Sequence, residues 1–233
     1  MTTETPGLFI TGTNTEVGKT YIATLIIKAL RSAGLRVGVY KPAASDCDAQ
    51  GASRISEDAR LLWEAAGKPG TMDQVCPQRF SAPLAPHLAA RAEGRQVNPR
   101  QLRSGLEIWR DQYDFIIVEG VGGLMSPVSD DDYVADLAYE FGFPLVIVTV
   151  NELGCINQTL QTLITAAAFE EGLPVAGIIM NHRQADNRDD VSLQTNVSEI
   201  ERCSFPPVLA SVAYNGILDP NIDWLHLAQQ TLK

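Results

Sequence analysis

The chain has 233 residues, 45% of them hydrophobic and 20% charged, which is the composition of a globular protein with a substantial core. Its 28 acidic residues outnumber 18 basic ones, giving a formal net charge of −10 without any basic cluster, so we expect no nucleic-acid partner. No apolar run approaches the ~20 residues of a membrane span, and the N-terminus lacks the pattern of a signal peptide, so we expect no membrane partner and a cytoplasmic location.

Short β-rich runs alternate with helical patterns along the chain, beginning with a strand at 7–12 and a helix at 19–33. The other predicted strands are 36–41, 114–119, 144–150, 174–180 and 207–213, and the other predicted helices are 56–67, 98–111, 132–141, 156–171, 189–202 and 222–231. The stretch 42–113 shows no clear strand and is predicted as helices and loops over the sheet. We therefore expect one α/β domain over 1–233, with a doubly wound, mostly parallel sheet and helices on both faces.

Residues 12–20, Gly-Thr-Asn-Thr-Glu-Val-Gly-Lys-Thr, have the pattern of a phosphate-binding loop between a strand and a helix. Backbone N–H groups at the helix start would point at the phosphates, and the helix dipole favours their negative charge. Lys19 can then reach the terminal phosphates, and the Thr20 hydroxyl can bind Mg²⁺. Five residues separate Gly12 from Gly18, one more than the usual pattern, so a chance Gly-Lys-Thr on a surface turn stays an alternative.

Two charged residues follow predicted strands at the edge of the sheet where ligands bind. Lys41 ends the run Val-Gly-Val-Tyr-Lys-Pro, in which Pro42 enforces an extended exit. A second cation beside a phosphate loop would stabilise a transferring phosphoryl group, although a solvated lysine is the alternative. Glu119 closes the most apolar strand, in the position of the acid that holds Mg²⁺ in nucleotide enzymes. The glycines that follow Glu119 would allow close approach of a ligand.

Two further candidate site residues can also be explained by a purely structural role. Asp58, in Ser-Glu-Asp-Ala, lies at a probable helix start, where capping alone would explain it. Asn181 ends the apolar strand Ala-Gly-Ile-Ile-Met-Asn, where its amide could read a nucleobase edge or satisfy a turn.

Taken together, these motifs resemble the dethiobiotin synthetase family of P-loop NTPases. The likeness runs in the family's order over about residues 8–181 and includes the long spacing of the phosphate loop. Its motifs are 11–20, Tyr-Lys-Pro-Ala-Ala-Ser at 40–45, Pro86-His87, Val-Glu-Gly-Val-Gly-Gly at 118–123, Leu-Gly-Cys-Ile-Asn at 153–157 and Asn181. The resemblance implies an ATP- and Mg²⁺-dependent enzyme of biotin biosynthesis. It would convert 7,8-diaminopelargonate and CO₂ to dethiobiotin through a carbamate and a carbamic-phosphoric anhydride, with release of ADP and phosphate.

The resemblance also implies a role for individual residues. Lys19, Lys41 and Thr15 would act in catalysis, with Thr15 and Ser45 also donating hydrogen bonds near the diamine. Mg²⁺ would be held by Thr20, Asp58 and Glu119. ATP would contact Glu16, Val17, Gly18, Lys19, Thr20, Tyr21, Asp58, Glu119, Gly120, Val121, Gly122, Asn181 and His182.

The family is homodimeric, which implies a substrate site at the interface of two copies. In this chain the substrate's carboxylate tail would be held by Gly154, Cys155, Ile156 and Asn157 of the partner copy, because a helix N-terminus suits a carboxylate. The chain departs from the family near the base: 209–215 lacks a Gly-x-x-Pro run, and His182 replaces an acid. Selectivity among ATP, CTP and GTP therefore stays open.

Two other classes share the loop pattern. A partition-type ATPase would carry Lys-Gly-Gly-x-Gly-Lys-Thr, but Asn14 stands in the place of its first lysine, and Thr15 and Glu16 replace the glycines. The synthetase half of a glutamine-dependent amidotransferase would need a further glutaminase domain. A pure nucleotide-binding module would have no use for Lys41 and Ser45.

Overall fold

The computed structural model describes residues 5–50, 53–185 and 191–229. In chain order the strands are β1 (Gly7–Gly12), β2 (Val37–Tyr40), β3 (Ala43–Ala44), β4 (Asp48–Gln50), β5 (Ser53–Ile55), β6 (Gln78–Arg79), β7 (Phe115–Gly123), β8 (Leu145–Val150), β9 (Val175–Asn181) and β10 (Val208–Val212). The helices are α1 (Lys19–Ser32), α2 (Glu57–Ala65), α3 (Met72–Val75), α4 (Pro86–Ala92), α5 (Pro99–Ser104), α6 (Val134–Phe141), α7 (Cys155–Ala168), α8 (Ser192–Cys203) and α9 (Trp224–Leu227).

Six strands form a sheet in the order β10-β9-β8-β1-β7-β2, and every neighbouring pair in it is parallel. Strands β1 and β8 are buried along their whole length, as are the first six residues of β7. Because both faces of these strands are covered, their sequences are continuous apolar runs rather than alternating ones. The predicted α/β class is confirmed, and each of the six predicted strands begins within one residue of an observed one.

The order of the strands determines on which face of the sheet each connecting helix lies. The connection from β1 through α1 to β2 runs toward one edge, whereas the connections through α6, α7 and α8 run toward the other edge. With right-handed crossovers, this reversal places α1 on one face and the other three helices on the opposite face. Ligands of open α/β sheets bind beyond the carboxyl ends of the strands at such a reversal, which here lies at β1.

The stretch 42–113 differs from its prediction because it contains four short strands. Strand β3 pairs in parallel with β6, and β4 pairs antiparallel with β5, so neither pair joins the main sheet. Strands of two or three residues are too short to show a period in the sequence, which is why the pattern missed them.

Three predicted helices differ from the observed ones. The helix predicted at 98–111 ends at Ser104, and turns with hydrogen bonds between residues three apart follow it, as from Trp109 N to Leu106 O at 3.0 Å. The helix predicted at 189–202 is observed as α8, and its positions 189–190 lie outside the described residues. The helix predicted at 222–231 is observed as α9, which is four residues long, and positions 230–231 lie outside the described residues. None of the helices in the described ranges has the length and apolar character needed to cross a membrane.

Tyr40, the last residue of β2, fastens α5 to the sheet. Its side chain is fully buried, and its hydroxyl donates to Leu102 O at 2.8 Å and lies 3.1 Å from Gln101 O. A Cβ at Gly105 would lie only 2.4 Å from the Tyr40 oxygen, so the ring fills space that only a glycine leaves. Since Lys41 is the next residue, this anchor also determines where the lysine leaves the sheet.

We expect Tyr40→Phe to lower the free energy of unfolding by about 1–2 kcal/mol, because a buried carbonyl loses its donor. Urea denaturation followed by circular dichroism measures the change. Tyr139→Phe is the matched control, since the Tyr139 hydroxyl pairs with Glu171 at an exposed position and should contribute little. Equal losses in the two variants would contradict the anchoring role of Tyr40.

Candidate active site

Three neighbouring strands bring the predicted catalytic groups to one edge of the sheet. Strand β1 leads into the phosphate loop, β2 leads to Lys41, and β7 carries Glu119. Ile10 pairs with Glu119 in the register of β1 and β7, and Tyr40 pairs with Val118 in the register of β2 and β7. Because the three strands are parallel neighbours, their carboxyl ends converge and the three polar groups lie close together.

The phosphate loop has the backbone shape of an anion cradle. Glu16 and Gly18 have positive φ angles of 60° and 92°, and Gly18 is the N-cap of α1. A Cβ at Gly18 would lie 2.1 Å from Nδ2 of Asn181, so this position requires glycine for space as well as for its φ angle. The alternative of a chance Gly-Lys-Thr on a surface turn does not hold, because the loop joins a buried strand to the predicted helix.

Lys19 is a buried cation inside this loop. Its side chain is 8% exposed, and Nζ donates to Asn14 O at 3.1 Å. Burial lowers its pKa to about 8, although the nearby carboxylate of Glu119 opposes this shift. A buried ammonium group that is hydrogen-bonded to a backbone carbonyl is well placed to form an ion pair with a bound phosphate group.

Lys41, Glu119, Asp58 and Thr20 form a compact cluster beside the loop. Nζ of Lys41 lies 2.5 Å from Oε1 of Glu119 and 3.1 Å from Oδ2 of Asp58, and the Thr20 hydroxyl donates to the same Glu119 oxygen at 2.9 Å. Glu119 is completely buried and the Lys41 side chain is 2% exposed, so Lys41 is not a solvated lysine. Burial alone would lower the pKa of Lys41, but the two carboxylates together raise it above its ordinary value.

Asp58 reaches this cluster because another residue caps its helix. Ser56 is the N-cap of α2, and its hydroxyl oxygen accepts a hydrogen bond from Ala59 N at 3.2 Å. The capping alternative for Asp58 is therefore wrong. Its half-exposed carboxylate faces the cleft, and Lys41 holds the pKa of that carboxyl below its usual range.

The cluster suits a magnesium ion held partly by a nucleotide. Oε2 of Glu119 is buried and has no hydrogen-bond partner among the described residues, so it is an acceptor without a donor. Two carboxylates and a hydroxyl make an all-oxygen set, which is the kind that Mg²⁺ prefers, with phosphates and water completing its shell. Within the described ranges, no group of three His, Cys, Asp or Glu residues is placed to hold a metal ion.

A cleft of about 400 Å³ opens over the loop and the cluster. Ten of its lining residues were predicted from the sequence: Thr15, Glu16, Gly18, Lys19, Thr20, Lys41, Ser45, Asp58, Val121 and Gly122. Four were not: Ala44, Asp46, Ser56 and Glu57. Asp46 follows Ser45 with a φ of 57°, and Ser56 begins the Ser-Glu-Asp motif, so proximity in sequence to predicted residues was the signal that could have found them.

The residues predicted near the base lie outside the cleft, at the ends of β9 and β10. Asn181 is buried and its Nδ2 donates to Val17 O at 3.0 Å, which ties the end of β9 to the phosphate loop. His182 N donates to Val212 O at 2.9 Å, and the Tyr21 hydroxyl donates to Gly216 O at 2.6 Å. The predicted nucleotide-binding residues that do not line the cleft are Val17, Tyr21, Glu119, Gly120, Asn181 and His182.

The segment 154–157 lies apart from the cleft of its own chain. It begins α7 directly after β8, with Gly154 as the N-cap at a φ of 99°. Gly154 and Asn157 are exposed, whereas Cys155 is buried and Ile156 is half-buried. The predicted contact with a second copy's substrate stays a prediction.

A parallel α/β sheet with a phosphate-binding loop at the end of β1 defines the class of P-loop nucleotide-binding proteins. The AAA domain family matches residues 6–221. Proteins named ATP-dependent dethiobiotin synthetase BioD are 45% identical over 215 residues in Rhodopirellula baltica, covering 88% of this chain and 82% of that protein, and 36% identical over 220 residues in Aromatoleum aromaticum, covering 94% and 95%. The chain belongs to the AAA domain family and, within it, to the ATP-dependent dethiobiotin synthetases.

Solved structures with a similar fold come from other functional classes. A ParA family ATPase from Chlorobium tepidum superposes with a TM-score of 0.55 at 17% identity, covering 90% of this chain and 85% of that one. The septum site-determining protein MinD, complexed with Mg-ADP, from Pyrococcus horikoshii has a TM-score of 0.51 at 17% identity, covering 96% and 94%. At this identity the likeness extends to the fold alone, and the predicted P-loop NTPase architecture is confirmed.

We expect Gly18→Ala to weaken the binding of a triphosphate by at least about tenfold, because the new Cβ would displace Asn181 and distort the loop. Isothermal titration calorimetry measures the affinity.

Gly34→Ala is the matched control for this substitution. Gly34 has a φ of 89° in the turn after α1, but nothing lies within 4 Å of its Cβ position. The Gly34→Ala variant should therefore have a free energy of unfolding about 1 kcal/mol lower, because of backbone strain, and should bind the triphosphate with native affinity. Equal binding by the two variants would contradict the steric role of Gly18.

Proposed function

We propose that the protein makes dethiobiotin from 7,8-diaminopelargonate, CO₂ and ATP, releasing ADP and phosphate. The observation that carries this proposal is that Lys19, Lys41 and Asp58 line one cleft over the phosphate loop, with the buried Glu119 in contact with Lys41. A protein that only binds nucleotide has no need of the second buried lysine, whereas a reaction with an anionic carbamate and a triphosphate does. The chain's family membership supports the same activity.

The chemistry needs positive charge at two places. One amine of the diamine adds to CO₂ with loss of a proton, and the resulting carbamate oxygen attacks the γ-phosphorus, which releases ADP. The second amine then attacks the carbamoyl carbon of the mixed anhydride, closing the ureido ring and expelling phosphate. Lys19 offsets negative charge on the β- and γ-phosphates, and Lys41 offsets the charge of the carbamate and of the transferring phosphoryl group.

Polar side chains at the mouth of the cleft orient the diamine. Thr15 and Ser45 both line the cleft, Thr15 from the phosphate loop and Ser45 from the residues directly after β3. Their hydroxyl groups hold the two amines near Lys41, so that carbamate formation and ring closure occur without a change of position. Asp46, beside Ser45 in the same lining, adds a carboxylate that suits an amine substrate.

Thr20, Asp58 and Glu119 hold the Mg²⁺ that accompanies ATP. When bound, the ion neutralises charge on the β- and γ-phosphate oxygens as the phosphoryl group is transferred. The buried Oε2 of Glu119 supports this assignment, because it is an acceptor with no hydrogen-bond donor among the described residues.

Asn181 reads the base. Its Nδ2 is engaged by Val17 O, which leaves the carbonyl Oδ1 as the part of this amide that can accept a hydrogen bond from a base. An acceptor favours the amino group of adenine or cytosine and disfavours the keto oxygen of guanine. Tyr21 fixes the neighbouring loop through Gly216, and His182 ties the end of β9 to β10 beside it.

The same proposal includes a homodimer of single-domain copies. Leu153 and Ile164 are 86% and 68% exposed on the turn before α7 and on α7 itself, and a second copy would cover them. In such a dimer the start of α7, from Gly154 to Asn157, holds the carboxylate tail of the partner's substrate. A cytoplasmic location, predicted from the sequence, stays a prediction.

We expect the purified protein to release phosphate from ATP only when the diamine, bicarbonate and Mg²⁺ are all present. Lys19→Ala and Lys41→Ala should each reduce this rate at least about 100-fold, since each removes a cation from the reacting charges. Lys28→Ala is the matched control, because Lys28 is exposed on α1 away from the cleft. A malachite-green assay measures release, and turnover that does not depend on the diamine would indicate a switch ATPase instead.

We also expect kcat/KM to be at least about tenfold higher with ATP or CTP than with GTP, because guanine presents a keto oxygen to Oδ1 of Asn181. The same phosphate assay with each nucleotide at saturating diamine measures the ratio. Equal efficiency with GTP would overturn this role of Asn181.

A further inference from the structure

A single ammonium group contacts both carboxylates of the proposed metal site. Nζ of Lys41 lies 2.5 Å from Glu119 Oε1 and 3.1 Å from Asp58 Oδ2. The Thr20 hydroxyl donates to the same Glu119 oxygen at 2.9 Å. The three oxygen ligands are therefore assembled around a cation that belongs to the chain itself.

This assembly depends on the positive charge of Lys41. Glu119 is completely buried, so an unneutralised charge there would be costly, and the half-exposed carboxylate of Asp58 beside it would add repulsion. Lys19 lies in the same cleft, but its Nζ donates to Asn14 O. Lys41 is thus the cation that contacts both carboxylates and holds them together.

The single positive charge of Lys41 cannot neutralise these carboxylates and at the same time fully stabilise an anionic carbamate. A cation held by two carboxylates has little charge left to offset an incoming anion. Lys41 can stabilise the substrate's charge only if another cation replaces it as the partner of Asp58 and Glu119.

We propose that Lys41 is the resident cation of the metal site and competes with Mg²⁺ for Asp58 and Glu119. Metal binding then releases the ammonium group toward the substrate, so that Lys41 becomes available only when the metal has arrived. This inference rests on the metal ligands and the role of Lys41 given under the proposed function. It adds an order of events within that site.

Metal binding without nucleotide tests the competition directly, with Mn²⁺ as the probe and the signal of free Mn²⁺ in electron paramagnetic resonance as the readout. We expect Lys41→Met to bind Mn²⁺ about tenfold more tightly than the native protein, because the carboxylates lose their internal cation. Lys41→Arg keeps the charge and is the matched control, with an affinity close to the native one. An affinity in Lys41→Met that is unchanged or weaker would overturn the proposal.

A second measurement uses the native protein and so does not depend on a variant folding. The rate of acylation of each lysine by acetic anhydride is followed by mass spectrometry with and without Mg²⁺. Lys41 should react several times faster when Mg²⁺ is present, whereas Lys28, exposed on α1, should keep its rate. A Lys41 rate that stays constant or falls would overturn the exchange.

Neither measurement requires turnover, so the two hypotheses can fail separately. Diamine-dependent phosphate release together with a failed Mn²⁺ test would overturn the exchange and leave the proposed function standing. Tighter Mn²⁺ binding by Lys41→Met, together with no diamine-dependent phosphate release by the native protein, would support the exchange and overturn the proposed function.

Discussion

The site depends on a carboxylate that the fold removes completely from water. Glu119 lies in a buried strand at the middle of the cluster, where an unpaired charge would be costly. Lys41 and Thr20 supply the donors that make this position tolerable, and both bond the same oxygen. The remaining oxygen is buried and has no hydrogen-bond partner among the described residues, which leaves it available as a ligand. Because β1, β7 and β2 are neighbours in the sheet, the residues that follow β1 and β2 lie within reach of Glu119 on β7.

A second constraint links the phosphate side of the site to the base side. Gly18 and Asn181 approach so closely that no side chain fits between the loop and the end of β9. The amide of Asn181 bonds Val17 O, which ties the phosphate loop to the end of β9. Arg183 adds to this contact, because its guanidinium donates to Glu16 O at 3.1 Å. A change at the end of β9 would therefore disturb the phosphate loop as well.

The fold itself is shared with ATPases of quite different function, such as ParA and MinD. What separates this chain from them lies in a few side chains on a common backbone. Asn14 stands where a partition-type ATPase would keep a lysine, and Thr15 presents a hydroxyl to the cleft in place of a glycine. The phosphate loop thus places the side chains of Thr15 and Glu16 along the cleft, where a partition-type ATPase would have glycines.

The sequence by itself determined the parallel sheet and the phosphate loop, because continuous apolar runs and a Gly-Lys-Thr at a helix start are local signals. It also marked Lys41, which directly follows β2, and Glu119, although the prediction that Glu119 ends its strand is wrong because β7 continues to Gly123. Only the tertiary structure decided that Ser56 rather than Asp58 caps α2, and that Asp58 therefore reaches Lys41. The short strands of 42–113 were likewise invisible, because two or three residues show no period. The packing of α5 on the sheet was also invisible, since it involves the contact of Tyr40 with Leu102, 62 residues away in sequence. Local patterns specify elements, whereas ion pairs between residues 78 positions apart, such as Lys41 and Glu119, exist only once those elements have packed.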